Sequence, residues 1–88
     1  MNVVTLTGIL AGDSELRRIE SGRDLLNFDV YVEGRKGEDP CVHIAFFPRT
    51  DNDPREIKAG CRIMVVGAIR HRRDTGLFVA ASELLIFA

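Results

Sequence analysis

Asp24-Leu25-Leu26-Asn27-Phe28-Asp29-Val30-Tyr31-Val32-Glu33 is the stretch that decides the fold class. Leu26, Phe28, Val30 and Val32 point one way, and Asn27, Asp29, Tyr31 and Glu33 point the other. Strict alternation of this kind marks a half-buried strand with a core on one side and solvent or a ligand on the other. Turn signals bound it: Ser21-Gly22 before, and the run from Gly34 to Pro40 after. Similar punctuation recurs at Gly8, Gly12-Asp13, Pro48 to Pro54, Gly60 and Asp74-Thr75-Gly76, so the elements between are short strands.

Working outward, a strand is expected over about 2–10, with Val4 and Leu6 on one face and Val3, Thr5, Thr7 and Ile9 on the other. Gly8 inside it marks a bulge or a sharp bend. Another strand is expected over about 41–47, where Val42, Ile44 and Phe46 alternate with His43, Ala45 and Phe47. A helix signal follows. Asp53 stands as a cap, Pro54 fits the first helical position, Glu56 completes a capping box and Gly60 ends the segment. A fourth strand is expected over about 61–71, with Ile63, Val65, Gly67 and Ile69 towards the core. Its other face carries Met64, Val66 and Ala68, then Arg70 and Arg72, and its apolar middle needs a cover such as a partner subunit. After a short hairpin at 72–76 comes a fifth strand over about 77–87. The expectation is all-β: a five-stranded OB-fold barrel with one short helix between the third and fourth strands, in a single domain over 1–88.

Size and composition agree with a small binding module. The chain has 88 residues, of which 45% are hydrophobic, within the range of one globular domain and too few for a multi-step enzyme with its own cofactor domain. No apolar run approaches a membrane span of about 20 residues. The start, Met1 to Thr5, lacks a basic and apolar leader, and the chain has only 2 cysteines, so a reducing cytoplasm is the expected location. Lys+Arg 12 against Asp+Glu 13 gives a net charge of −1, which lowers the expected affinity for a polyanion but leaves room for a local basic face.

Several stretches resemble the bacterial single-stranded-DNA-binding protein family. The opening is Asn2-Val3-Val4-Thr5-Leu6-Thr7-Gly8, Leu10-Ala11-Gly12-Asp13, Glu15-Leu16-Arg17, Ser21-Gly22 and Asn27-Phe28. The later part is Lys58-Ala59-Gly60-Cys61-Arg62-Ile63 with Val65-Val66-Gly67-Ala68-Ile69-Arg70. Short primosomal replication proteins of the same fold are similar as well. The chain departs from the family pattern at Ser14, where proline is usual, in its lack of tryptophan, with Val42 at one of the family's tryptophan positions, and in a short hairpin after Arg73. The resemblance implies an OB-fold, single-stranded DNA as partner in replication, recombination or repair, and assembly as a homodimer or homotetramer. Replication or primosome proteins are further implied partners.

Binding a single strand without regard to sequence takes cations that track phosphates and flat side chains that stack bases. The candidate cations are Arg17, Arg18, Arg35, Lys36, Arg49, Arg70, Arg72 and Arg73, with Arg23 beside them. The stacking candidates are Tyr31 and Phe47, with Phe78 third. Asp29, Glu33, Glu38 and Asp39 oppose phosphate if they share that face. The candidate subunit seam is Val3, Thr5 and Thr7 with Met64, Val66 and Ala68. Cys41-Val42-His43 puts a thiol and an imidazole on one strand face, but the spacing matches no common zinc pattern, and no metal, cofactor or catalytic residue is expected. A second reading stays open, an OB-fold adaptor that binds proteins with little or no hold on nucleic acid.

Overall fold

The computed structural model describes residues 1–32 and 40–87. Among the described residues six strands form one sheet: β1 (Val4–Leu10), β2 (Glu15–Arg18), β3 (Asp24–Val32), β4 (Cys41–Phe46), β5 (Arg62–Arg72) and β6 (Gly76–Phe87). Their order is β1-β5-β6-β4-β3-β2, and a further pairing of β1 with β3 closes the sheet into a barrel. All neighbours are antiparallel except β4 and β6.

The inward residues of β3 are Leu26, Phe28 and Val30, as their alternation implies. They pack with Leu10, Ile44, Phe46, Ile57, Ile63, Val65 and Val79 as the barrel core. Closure depends on β1 lying between two partners. Gly8 stands opposite both Val32 of β3 and Ile63 of β5, and a Cβ there would meet the Tyr31 carbonyl oxygen at 2.2 Å. Gly67 plays the same part between β5 and β6, where a Cβ would meet the Ala80 carbonyl oxygen at 2.2 Å.

Three features differ from the sequence expectation. The barrel has a sixth strand, β2, which pairs with the first half of β3 while β1 pairs with the second half. All of its residues are exposed, so burial leaves no alternation in its sequence. The second difference is the helix. Residues 51–60 run as turns, bends and irregular backbone, and no helix occurs among the described residues. The capping groups are engaged elsewhere. The Asp53 carboxylate accepts from the backbone N–H groups of Arg49 (2.7 Å) and Thr50 (3.0 Å), behind it in the chain. Glu56 pairs with Lys58 instead of reaching back.

The donors a helix would have used inside itself serve the β1–β2 connection. Ile57 N–H donates to Ser14 Oγ (2.8 Å), Ala59 N–H to Asp13 Oδ1 (2.8 Å) and Gly60 N–H to the Leu10 carbonyl (3.0 Å). Ser14 N–H returns a bond to the Ile57 carbonyl. This connection seats Ile57 in the core, so the segment plugs the barrel end without helical turns. The third difference is Ile69, which is 45% exposed because β5 runs past the barrel into the hairpin. The Asn2 side chain holds it there through both its N–H and its carbonyl.

Candidate nucleic-acid interface

Pairing fixes what shares the outer face of β3, β4, β6 and β5. Asp29 lies opposite His43, and Phe78 lies opposite Arg70. His43 and Phe78 are level, each one residue before the Ile44–Val79 pair. Asp29, His43, Phe78 and Arg70 therefore form one row across the four strands. The next row is Asn27, Ala45, Ala80 and Ala68. Tyr31 lies beyond Asp29 on β3, and Arg72 lies beyond Arg70 on β5.

The charge on this face runs from basic to acidic. Arg70, Arg72 and the adjoining turn residue Arg73 are exposed at the β5–β6 end, and Asp29 is exposed at the β3 end. His43 sits beside the acid. Its Nδ1 is 2.9 Å from Asp29 Oδ1 and its Nε2 is 3.0 Å from Asn27 Oδ1. Its ring is thus engaged by β3, not by Cys41. Desolvation first, and the Asp29 charge second, push the Cys41 thiol above its ordinary value of 9.0, away from the reactive thiolate. Among the described residues no group of three or more His, Cys, Asp or Glu side chains converges to hold a metal ion.

The aromatic candidates have different settings. Tyr31 is 48% exposed and open to solvent. Phe78 is only 9% exposed, in an outer apolar cluster with Leu25 and Ala45, against which Phe47, Ile19 and Ala80 pack. Both rings carry arginines: the Arg72 guanidinium carbon is 4.6 Å from the Phe78 centroid, and that of Arg23 is 4.4 Å from the Phe47 centroid.

The remaining cations are dispersed. Arg17 pairs with Glu15 at 3.1 Å. Arg18 pairs with Asp24 at 3.1 Å, and Arg55, which the sequence reading did not single out, reaches the other Asp24 oxygen at 3.3 Å. Hydrogen bonding from Arg18, then from Arg55, holds the Asp24 carboxyl below its ordinary range. Arg55 also donates to the Thr50 and Asp53 carbonyls, so it ties the 50–55 loop to the start of β3. Arg49 is exposed in the loop after β4. Arg35 and Lys36, with the acids Glu33, Glu38 and Asp39, lie outside the described residues.

A second face, on β1, β5 and the far half of β6, has an apolar centre with charged groups at Glu83 and Arg62. Thr5, Val66 and Glu83 form one row, Thr7, Met64 and Leu85 the next, and Ile9, Arg62 and Phe87 the third. Thr5, Thr7, Met64 and Val66 of the candidate seam thus lie together on this face. Val3 precedes β1 and is exposed, while Ala68 lies further along β5, opposite Ala80. Ile9, Leu85 and Phe87 extend the patch, and all three are exposed. The sequence hides the two β6 members because the β5–β6 ladder slips at Val66/Gly67: Val66 faces Glu83 while Gly67 faces Ala81, leaving Ser82 as the extra residue. The outward set on β6 therefore changes from even to odd numbers.

No family model matches the sequence, and no curated protein does. Solved structures match throughout. The wild-type single-stranded DNA binding protein from Thermus aquaticus superposes with a TM-score of 0.85 at 20% identity, over 100% of this chain. This chain spans only 41% of that protein's length. The N-terminal domain of PriB from Thermoanaerobacter tencongensis, solved as a dimer, gives 0.80 at 21% identity over 99% of this chain and 97% of its own. PriB from Ralstonia solanacearum gives 0.74 at 18% identity, over 99% of each chain. At these identities the likeness speaks for architecture: this chain has the OB-fold shared by single-stranded DNA binding proteins and PriB.

Proposed function

We propose that this protein binds single-stranded DNA without regard to sequence, in replication, recombination or repair, and that it does so on the outer face of β3, β4, β6 and β5. The observation that carries the reading is the meeting of Arg70 and Arg72 with Phe78 at the β5–β6 hairpin, with exposed Arg73 in the adjoining turn, next to the open strand faces on which this fold binds oligonucleotides. Tyr31 supplies an exposed ring at the opposite edge of the face, and Phe47 lies at its far end. Arg49 and the Arg35-Lys36 pair are secondary phosphate contacts, with Arg17 and Arg18 weakened by their carboxylate partners. His43 Nδ1 lies 2.9 Å from the Asp29 carboxylate, so that acid is engaged by the sheet. On this reading the chain is a binding module and not an enzyme. A labelled oligo-dT strand titrated with the protein at low salt tests it, with saturable binding that weakens as salt is added as the expected result.

The apolar face of β1, β5 and β6 is the surface we assign to self-association as a homodimer or homotetramer. Exposed Ile9, Leu85 and Phe87 around Met64 make a patch that a soluble monomer rarely leaves uncovered, and the PriB domain of the same fold was solved as a dimer. Sedimentation velocity at micromolar concentration should give a mass of at least twice 9.8 kDa, reduced to the monomer by Leu85→Asp. A monomeric wild type would remove the assignment and favour the adaptor reading, with a different protein on this patch. For cellular location, no helix among the described residues is long and apolar enough to cross a membrane.

A further inference from the structure

We propose that bases of a bound strand that reach Phe78 and Phe47 stack on arginine, not on the phenylalanine rings: the Arg72 guanidinium held over Phe78, and the Arg23 guanidinium held over Phe47, are two stacking platforms of this face, beside the open ring of Tyr31. This rests on the strand-binding reading above and adds what receives the bases. The chain has no tryptophan, and the two phenylalanine rings on the face are not free to receive a base. Phe78 is nearly buried, with its ring under Arg72 at 4.6 Å, and Phe47 lies under Arg23 at 4.4 Å. A base reaching either site meets the guanidinium first. That group is planar, stacks on bases as it stacks on rings, and keeps its charge for the phosphates alongside.

The sheet geometry sets both platforms in the same way. Arg72 lies opposite Gly76, so no side chain intervenes, and it crosses diagonally onto Phe78 two residues further along β6. Arg23 lies just before β3 and Phe47 just after β4. Leu26 pairs with Phe46, so Arg23 is likewise diagonal to the ring it covers. Phe47 is four residues beyond His43, which is level with Phe78. At about 3.3 Å per residue the two platforms stand roughly 13 Å apart along the strands. Between them lie the half-buried Ala80 and Ala68, beside the buried Ala45.

Lysine at position 72 separates stacking from charge, because it keeps the cation and loses the plane. The measurement is anisotropy of labelled oligo-dT and of an equally long abasic strand, whose sugar–phosphate backbone carries no bases. Wild type is expected to bind dT more tightly than the abasic strand. Arg72→Lys should weaken dT binding about tenfold, the effect of losing roughly one stacked base, and leave abasic binding and the salt dependence unchanged. Arg23→Lys should show the same pattern. Phe78→Leu, checked for folding by circular dichroism, should also lose the preference for dT, since it removes the support under Arg72. An Arg72→Lys protein that binds dT as wild type does overturns the proposal, and so does equal weakening of both strands, which would make Arg72 a phosphate contact only. If wild type binds neither strand, the strand-binding reading itself fails.

Discussion

Gly67→Ala is expected to lower the stability of this protein by about 3 kcal/mol or more, the upper range for forcing atoms into packed structure. The added Cβ would lie 2.2 Å from the Ala80 carbonyl oxygen and 2.8 Å from Ala81 Cα. Both are backbone atoms of the paired strand, so no side chain can swing aside. The site is also where the ladder slips and β5 bends, so relief would have to come from opening β5 against β6. For a domain of this size such a loss lowers the melting temperature by roughly 15 °C. Gly12→Ala is the control. No atom lies within 4 Å of its added Cβ, and its melting curve should stay close to wild type. Paired thermal and denaturant melts give the comparison. Equal melting of the two variants would mean that β5 and β6 do not approach as described.

The second large effect is on binding. Arg72→Glu combined with Arg73→Glu reverses two charges at the β5–β6 hairpin, where both side chains are exposed, neither forms an ion pair among the described residues, and Arg72 lies over the Phe78 ring. The barrel core is not touched, and circular dichroism checks that the hairpin keeps its fold. If about four phosphates are neutralised by the wild type, log affinity falls with log salt at a slope of about −3. Removing two of those contacts should flatten the slope to about −1.5 and weaken low-salt binding by about 100-fold, since repulsion replaces attraction. Reversing Arg17 and Arg18 should do far less, because Glu15 and Asp24 already hold those guanidiniums. An unchanged slope in the hairpin variant would take Arg72 and Arg73 out of the site.

How much of this was legible in the sequence depended on whether burial wrote the pattern. Leu26, Phe28 and Val30 alternate because one face of β3 fills the core, and they gave the barrel class directly. Val4, Leu6, Ile63 and Val65 did the same for β1 and β5. In β2, Glu15 to Arg18 are exposed on both faces, so only the ladder to β3 defines the strand, and a ladder leaves no composition to read. The helix expected after β4 failed for a different reason. Asp53, Pro54 and Glu56 are a sound local signal, but the donors of Ile57, Ala59 and Gly60 find Ser14, Asp13 and Leu10, more than 40 residues away in the chain. A tertiary contact outcompeted a weak nucleus, as short helices permit.

The candidate site divides similarly. Arg70 and Arg72 could be placed on one face by their spacing, and Phe78 could be named as a third ring. That Arg72 covers Phe78 depends on Arg72 facing Gly76 across the hairpin, a register that no local pattern states. Leu85 and Phe87 were hidden from the apolar face by the extra residue at Ser82, which reverses the phase of β6. His43 could be paired with Cys41 only while its neighbours on β3 were unknown. Asn27 and Asp29 hold its ring instead.

The central claim is that a basic, ring-bearing barrel face binds unpaired DNA, and the wild-type titration against oligo-dT tests it most directly. Fluorescence anisotropy suits this chain, since its lack of tryptophan makes intrinsic emission a poor probe. Saturable binding at 50 mM salt, weakened about 50-fold at 200 mM and not matched by a duplex of equal length, is the predicted result. No binding at 50 mM, or binding indifferent to salt, would contradict it and leave a barrel of this fold whose partner is another protein.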